Sequence, residues 1–107
     1  MNQFEIWKAK PDGFAQAHYF VIIIPDERCQ NERLVYVNGL ACFTLRGQPK
    51  KVDVLLNGAD GFERSTVCDC GYWYPLLKSC LTEKRGTVTF ERQRQIKTLV
   101  REIFRLL

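Results

Sequence analysis

The sequence has a single histidine, and it has no apolar run long enough to cross a membrane. The longest such run, residues 19–24, is far shorter than the roughly 20 apolar residues that a membrane helix needs. The pattern of a secretory signal, a basic start followed by an apolar core and a small-residue cleavage site, is also missing. We therefore expect a soluble protein that has no membrane partner and stays in the cytoplasm.

The five cysteines are an odd number in a chain without an export signal, so a disulfide framework is not expected. Cys68 and Cys70 lie one residue apart, which places both thiols on the same face of a strand. A closed zinc site needs four ligands, usually from two paired clusters. The remaining candidate ligands, which form no second pair, are His18, Cys29, Cys42 and Cys80. The sequence therefore favours packing over a metal or redox role, and it predicts no metal site and no cofactor.

A hydrophobic content of 46% and a charged content of 26% are typical of a globular protein. At 107 residues the chain has the size of one domain, and we expect residues 1–107 to form a single one. The net charge of +4 is mildly basic. Such a charge permits a nucleic acid or an acidic protein as partner, but it requires neither.

Runs of apolar, aromatic and β-branched residues, separated by turn signals, predict five strands. The runs cover residues 4–10, 18–24, 34–43, 51–56 and 65–70. The second run is typical of a strand covered on both faces, and the third can bend or bulge at Asn38-Gly39. The strongest turn signal is Asn57–Gly61, because its asparagine and glycines tolerate positive φ. The fifth strand can continue through Tyr74, and Pro75–Leu81 predicts a short helical turn.

The C-terminal segment predicts an amphipathic helix that begins after Thr89, a residue type that caps helices, with Glu91 in the first turn. Apolar residues recur at helical spacing at Ile96, Leu99, Val100, Ile103, Phe104 and Leu107. A basic stripe follows another side at Arg94, Lys97, Arg101 and Arg105. A solvated face is the favoured interpretation of this stripe, because Glu91 and Glu102 dilute its charge. Short strands followed by one such helix indicate a compact, mainly β fold with a docked C-terminal helix.

Two other groups of residues have the chemistry to bind nucleic acid. Arg46, Lys50 and Lys51 lie on a loop between predicted strands, and binding residues concentrate on loops that a rigid scaffold holds. They are the better candidate for contacts to phosphate. The aromatic run Gly71–Tyr74 could stack on bases, but it contains no basic residue, so a place in the core or at a dimer interface is favoured.

His18, at the start of the second predicted strand, is the candidate general acid or base. A histidine beside an apolar strand is more often structural. No serine–histidine–aspartate motif, phosphate-binding glycine loop or paired-carboxylate motif accompanies it. Catalysis by His18 and a structural role are both open on these residues alone.

Five segments carry the pattern of a known family. They are FEIWKAK (residues 4–10), AHYFVIIIPDE (17–27), LVYVNGLACFT (34–44), VLLNGADGFERSTVCDC (54–70) and LLKSCLTEKRGTVTFERQRQI (76–96). In this order they resemble the PemK/MazF-like toxins of bacterial toxin–antitoxin systems. The resemblance implies a small, strongly bent antiparallel barrel of the Src-homology-3-like (CcdB/PemK) kind with one amphipathic C-terminal helix, usually as a homodimer. It also implies metal-independent cleavage of single-stranded RNA, and inhibition by a cognate acidic antitoxin that fills the same groove.

The resemblance extends to single positions. The family's histidine corresponds to His18, and Tyr19 stands where the family has its active arginine. Thr44 lies near the threonine or serine that ends the family's third strand. The implied catalytic set is His18, Tyr19, Thr44 and Arg46, in which His18 is the acid or base and Arg46 supplies positive charge from the neighbouring loop. The implied RNA-binding set is Trp7, Arg46, Lys50 and Lys51.

Other positions depart from the family pattern. Phe20 stands in place of a proline, and Gly71-Tyr72 in place of an Asp-Gln pair. Together with Tyr19, these departures imply a second possibility. In this alternative the chain is a catalytically inactive barrel of the same kind that binds nucleic acid or protein.

Overall fold

The computed structural model describes residues 1–105, which form seven strands and two α-helices. The strands are β1 Glu5–Ala9, β2 His18–Ile22, β3 Tyr36–Thr44, β4 Asp53–Leu56, β5 Thr66–Asp69, β6 Tyr74–Leu77 and β7 Glu83–Thr87. The helices are α1 Asp26–Cys29 and α2 Phe90–Ile103, and one-turn 3₁₀ helices lie at Gly58–Asp60 and Lys78–Cys80. Neither α-helix of the described chain has the length and apolar character needed to cross a membrane. The predicted apolar position Leu107 lies outside the described residues.

All strand pairs are antiparallel, and the sheet runs in the order β4-β5-β3-β2-β1-β7, with β6 also on β3. This path begins at β4 and ends at β7, so the sheet of residues 1–105 is a curled half-barrel and not a closed ring. The helix α2 follows the last strand and packs on the sheet through the buried Ile96. The prediction of a mainly β, strongly bent antiparallel fold with a C-terminal helix is confirmed.

β3 is the central strand because it pairs with three others, β2, β5 and β6. One edge pairs with β2. The other edge pairs with β6 along its first half and with β5 along its last residues, so β5 and β6 lie end to end. Space is small where these pairings meet, since a Cβ atom on Gly39 would lie 2.8 Å from Leu76 Cδ1 and 3.0 Å from Phe20 Cβ. β3 continues through Asn38-Gly39, where the sequence allows a bend.

β2 is buried on both faces, as the sequence predicts. Val21 belongs to a core that also contains Ile96 of α2. Phe20 and Ile22 belong to a second core on the opposite face of the sheet, and Phe14 packs against it. The alternation along β2 therefore places successive side chains in two different apolar clusters.

The segment after β5 differs from the sequence prediction. Residues 74–77 form β6, and only residues 78–80 form a helical turn, so the expected turn over residues 75–81 is wrong in its first half. The strand predicted from the fifth run is β5, which ends at Asp69 and does not continue through Tyr74. β7 is not predicted, because its sequence EKRGT is mostly polar and its extended form depends on pairing with β1.

Local chemistry explains the turn after β4. The side-chain oxygen of Asn57 accepts a hydrogen bond from the Ala59 N–H at 2.9 Å, and Asp60 Oδ2 accepts one from the Asn57 N–H at 3.0 Å. Gly61 follows at φ +99°, in the left-handed region that glycine adopts without strain. The predicted turn at Asn57–Gly61 is confirmed.

Candidate functional site

The start of β2 and the end of β3 lie side by side and form one wall of a groove. Tyr19 pairs with Cys42 across the two antiparallel strands, which places His18 beside Phe43 and close to Thr44. The segment after the β4 turn and the strand β7 supply the remaining walls. The groove has a volume of about 680 Å³ and is open to solvent.

The structure brings the four residues of the predicted catalytic set together. His18, Tyr19, Thr44 and Arg46 all line this groove. Strand pairing explains the placement of the first three, and the loop that follows β3 brings in Arg46. Their roles in catalysis stay a prediction.

The predicted RNA-binding set is divided by the structure. Arg46 lines the groove, and Lys50 lines an adjoining depression of about 360 Å³ that shares Thr44 and Arg46 with it. Lys51 is exposed in the same loop. Trp7 is half-buried on β1 and packs against the second core. The basic loop therefore extends the groove, whereas Trp7 is not among the residues that line it.

The side chain of Trp7 takes part in a different contact. Its indole N–H donates to Glu5 Oε1 at 2.9 Å, and Lys84 Nζ donates to Glu5 Oε2 at 3.2 Å. Burial alone would raise the pKa of Glu5, but these hydrogen bonds and one from the backbone of Asn2 stabilise the carboxylate. The net result is a lowered pKa for Glu5.

Aromatic contacts fix the ring of His18. Its imidazole lies 5.3 Å from the Phe14 ring and 5.1 Å from the Phe43 ring, measured between centroids. The residue is half-buried and is among those that line the groove, and both of its aromatic partners pack against the second core. A ring that is held in place in this way is suited to a defined proton transfer.

Tyr19 lies under a guanidinium group. The Arg85 Cζ atom is 5.2 Å from the centre of the Tyr19 ring and 5.8 Å from that of Phe62. Arg85 Nη1 also donates to the Tyr19 hydroxyl at 3.4 Å, and its Nε donates to the carbonyl oxygen of Gly61 at 2.7 Å. The position where the sequence resemblance places an arginine is thus next to a guanidinium that comes from another strand.

The groove is basic. Its lining contains three arginines, Arg46, Arg64 and Arg85, and one acidic residue, Glu63. Arg46 and Arg64 are exposed and Arg85 is half-buried. An open cleft with an excess of positive charge attracts anionic ligands.

Sequence analysis does not find Arg64 and Arg85. Both come from segments that lie far from β2 in sequence, and only the folded sheet brings them to Tyr19 and Thr44. A local signal exists for Arg85, because a glycine follows it in the short polar segment EKRGT. Glycine within a strand often marks a bulge.

Three cysteines meet in the first core. Cys42 is the register partner of Cys68, and Cys70 follows on the same face. Hydrogen bonding to the Cys42 and Cys70 thiols, together with full burial, raises the pKa of Cys68 well above its ordinary value. Among residues 1–105 no group of three or more histidine, cysteine or acidic side chains is placed to hold a metal ion. The cysteines pack as apolar side chains, as the sequence favours.

Other candidate surfaces lie away from the groove. Tyr72 and Trp73 are 57% and 41% exposed, so the expectation of a core position is wrong for both, and an interface position stays a prediction. The four basic residues of the α2 stripe are exposed. A further opening of about 750 Å³ lies between β4 and α2 and mixes acidic and basic side chains, so it has less of the chemistry that an anion needs.

Solved structures with the same architecture are known. An endoribonuclease in complex with its cognate antitoxin, from Mycobacterial species, matches with a TM-score of 0.85 and 17% identity over 100% of this chain and 97% of the other. The Mycobacterium tuberculosis toxin MazF-mt6 matches with a TM-score of 0.80 and 17% identity over 96% and 98% of the two chains. The fold is that of the MazF-type toxins. A MazE-MazF structure from Deinococcus radiodurans has the same MazF-type fold, with a TM-score of 0.78 and 11% identity over 100% and 97% of the chains.

The sequence itself matches no protein-family model and no curated protein. The MazF-type fold is therefore carried by a sequence that shares few residues with its structural neighbours. The chemistry of the site has to be argued from the side chains of this chain.

Proposed function

We propose that this protein is the toxin of a type II toxin–antitoxin pair and that it cleaves single-stranded RNA in the groove without a metal ion. The observation that carries the proposal is the convergence of His18, Thr44 and three arginines in one open, basic groove on a MazF-type fold. RNA is the ligand because its phosphates match the charge of the groove and its bases can contact the exposed rim. We place this activity in the cytoplasm.

The proposed reaction uses the RNA's own 2′-hydroxyl. The 2′-oxygen attacks the adjacent phosphorus, and the bond between phosphorus and the 5′-oxygen of the next nucleotide breaks. The 2′-hydroxyl loses a proton and the leaving 5′-oxygen gains one; His18 carries out one of these two transfers and solvent water the other. The Thr44 hydroxyl donates a hydrogen bond to the phosphate. Arginine side chains stabilise the charge on the five-coordinate phosphorus. The products are a 2′,3′-cyclic phosphate and a 5′-hydroxyl.

The test is incubation of the purified protein with a mixed-sequence single-stranded RNA in EDTA. Wild type is expected to cleave, and His18→Ala and Arg46→Ala are each expected to slow cleavage by about tenfold to a thousandfold. Arg101→Ala, on the exposed face of α2, is the charge-matched control for Arg46→Ala. Cleavage at the wild-type rate by both groove variants would contradict the assigned residues.

A second function is favoured by one observation, the presence of Tyr19 at the position of the family's arginine. In this alternative the same groove binds nucleic acid but does not cleave it. It predicts intact RNA after incubation, together with affinity for RNA that falls steeply as salt concentration rises and depends on Arg46, Lys50 and Lys51. Intact RNA with such binding would replace the enzyme proposal.

We also propose that a cognate acidic antitoxin occupies the groove. The excess of arginine in the lining supports an acidic partner, and one structural neighbour was solved with its antitoxin. A small acidic reading frame next to the gene is the expected source. Expression of this protein alone is expected to arrest growth, and co-expression of the acidic product is expected to relieve that arrest. Arg46→Ala and Arg64→Ala are expected to weaken the complex, as measured by titration calorimetry.

A homodimer is the proposed assembly. Exposed apolar side chains on the paired strands β3 and β6, including Tyr36 at 54% and Leu77 at 38%, support a second copy as the group that covers them. Light scattering is expected to give twice the monomer mass for wild type and the monomer mass for Leu77→Asp. A monomeric wild type would contradict the proposal.

A further inference from the structure

Arg85 occupies a break in the pairing of β1 with β7. Ile6 pairs with Gly86 and the next residue, Trp7, pairs with Lys84, which leaves Arg85 as the extra residue of a β-bulge. Bulges of this kind redirect a side chain, and they are frequent next to functional sites. The bulge explains how a residue of β7 places its guanidinium over Tyr19 of β2, although β1 lies between the two strands in the sheet.

Two glycines allow β7 to approach the turn that follows β4. A Cβ atom on Gly86 would lie 3.0 Å from the carbonyl oxygen of Asp60, and one on Gly61 would lie 3.0 Å from the carbonyl oxygen of Arg85. Backbone atoms form both contacts, so a side chain at either position would push the two segments apart. The close approach is what allows Arg85 Nε to reach the Gly61 carbonyl at 2.7 Å.

Arg85 is the best-anchored positive charge of the groove. Its side chain makes hydrogen bonds to Gly61 and Tyr19 and lies against two aromatic rings. Within residues 1–105, no side-chain hydrogen bond or ion pair holds the guanidinium of Arg46 or of Arg64, and both residues are exposed. A guanidinium has five N–H donors, so the anchoring bonds from Nε and Nη1 leave donors for a ligand.

We propose that Arg85 binds the scissile phosphate of RNA and stabilises the negative charge that develops on it, and that Tyr19 is a positioning residue for Arg85. This inference rests on the function proposed above. Arg85 transfers no proton in this role; its N–H groups pair with the non-bridging phosphate oxygens, while His18 and solvent water carry the proton from the 2′-hydroxyl and the proton to the leaving 5′-oxygen. A charge that is already fixed in place needs little reorganisation as the transition state forms, so it is more effective than a mobile one. The guanidinium that the sequence lacks at position 19 is supplied from β7.

The first test compares cleavage rates. Arg85→Gln is expected to lower kcat for single-stranded RNA by about a hundredfold or more. Arg85→Lys keeps the charge but loses the fork of donors, and is expected to recover only part of that loss. Arg33→Gln, at an exposed position outside the groove lining, is the charge-matched control and is expected to cleave like wild type. A wild-type kcat for Arg85→Gln would overturn the proposal.

A charge-relocation variant separates this role from a structural one. Tyr19→Arg combined with Arg85→Gln returns a guanidinium to β2. The kcat of this double variant is expected to be at least about tenfold higher than that of Arg85→Gln alone. Tyr19→Phe keeps the ring under Arg85 but removes the hydroxyl, and is expected to lower kcat several-fold without changing the midpoint of urea unfolding by much. A double variant that is folded but as slow as Arg85→Gln would count against the phosphate role.

A binding measurement distinguishes failure of the inference from failure of the proposed function. A fluorescent single-stranded DNA cannot be cleaved through a 2′-hydroxyl, and its affinity is measured at several salt concentrations. The salt slope is the slope of the logarithm of affinity against the logarithm of salt concentration. Suppose that wild type cleaves no RNA but binds this probe, and that Arg85→Gln reduces the magnitude of the salt slope by about one. The proposed enzyme then fails, while the phosphate contact stands. If neither cleavage nor the salt slope depends on Arg85, the inference is wrong even when the protein is a nuclease.

Discussion

The backbone N–H of Thr89 donates a hydrogen bond to Oδ1 of Asp60 at 2.9 Å. The other carboxylate oxygen of Asp60 accepts the Asn57 N–H, and the side chain is 1% exposed. One buried carboxylate thus joins the turn after β4 to the residue that precedes α2. Thr89 stands at the N-cap, as the sequence predicts, but its own side chain makes no capping hydrogen bond.

Asp60→Ala is expected to lower the free energy of unfolding by about 2–4 kcal/mol, because it removes two hydrogen bonds to a buried carboxylate and leaves two N–H donors without partners. Asp60→Asn keeps one acceptor oxygen and is expected to cost less. Urea denaturation measures both. Asp12→Ala, at an exposed turn position, is the control with an expected effect within about 0.5 kcal/mol.

Two glycines of the same turn are expected to respond differently to substitution. Gly61→Ala places an L residue at φ +99° with its Cβ atom 3.0 Å from a backbone oxygen, so we expect a loss of about 1–3 kcal/mol. Gly58→Ala meets no atom within 4 Å and is expected to be neutral or slightly stabilising. Thermal and urea unfolding measure the stability of the two variants. Equal losses of stability in both would contradict the described turn.

Glu5→Gln is expected to remove a pH-dependent part of the stability. The pKa of Glu5 is lowered below its ordinary value of 4.5 in the folded protein, so its carboxylate stabilises the fold above that pH. The difference in unfolding free energy between wild type and Glu5→Gln is expected to be about 1–2 kcal/mol at pH 7. It should shrink as the pH falls below 4.5 and through the lower pKa of the folded state.

Urea titrations between pH 7 and pH 3 measure this difference. Glu32→Gln, at an exposed position, is the control and is expected to show little change across the same range. A difference that grows on acidification would mean that the pKa of Glu5 is raised rather than lowered.

Thiol reactivity is expected to separate one cysteine from the other four. Cys80 is exposed, whereas Cys29, Cys42, Cys68 and Cys70 are buried. An aromatic disulfide reagent should label about one thiol rapidly in the native protein and all five after unfolding in urea, because burial blocks access to the other four. In addition, burial raises the pKa of Cys29, and hydrogen bonding with Cys42 and Cys70 together with burial raises the pKa of Cys68. The rapid phase should vanish in Cys80→Ser. Its persistence would show that a buried thiol, most directly Cys42 at the groove, is accessible.

The parts of the fold that depend on local chemistry could be predicted from the sequence. Phe20, Val21 and Ile22 identify a strand buried on both faces because all three are apolar, and Asn57–Gly61 identifies a turn because its side chains cap it locally. β7 could not be predicted, because Glu83–Thr87 is extended only through its pairing with β1. β6 could not be predicted for a different reason, because Pro75 is an unfavourable strand residue; it is tolerated since, within residues 1–105, β6 pairs only with β3 and so along one edge.

The candidate site, too, contains residues that could be proposed from the sequence and residues that only the folded structure brings in. His18, Tyr19 and Thr44 are grouped in the sequence only by the family resemblance, and the pairing of β2 with β3 is what brings them together in the structure. Arg85 lies 66 residues from Tyr19, and its contact with the tyrosine requires a bulge, two glycines and a backbone carbonyl from a distant turn. No pattern within one segment encodes such a contact. A contact of this kind becomes visible only when the sheet is assembled.

β5 and β6 lie end to end on the same edge of β3, and the residues between them do not pair with β3. Pairing on either side of these residues is set independently, by Cys42 with Cys68 and by Gly39 with Tyr74. Residues inserted between positions 70 and 73 are therefore expected to leave both registers and the lining of the groove in place. This segment, which presents Tyr72 and Trp73 to solvent, is therefore where we expect the sheet to accept added residues while both pairings of β3 are kept.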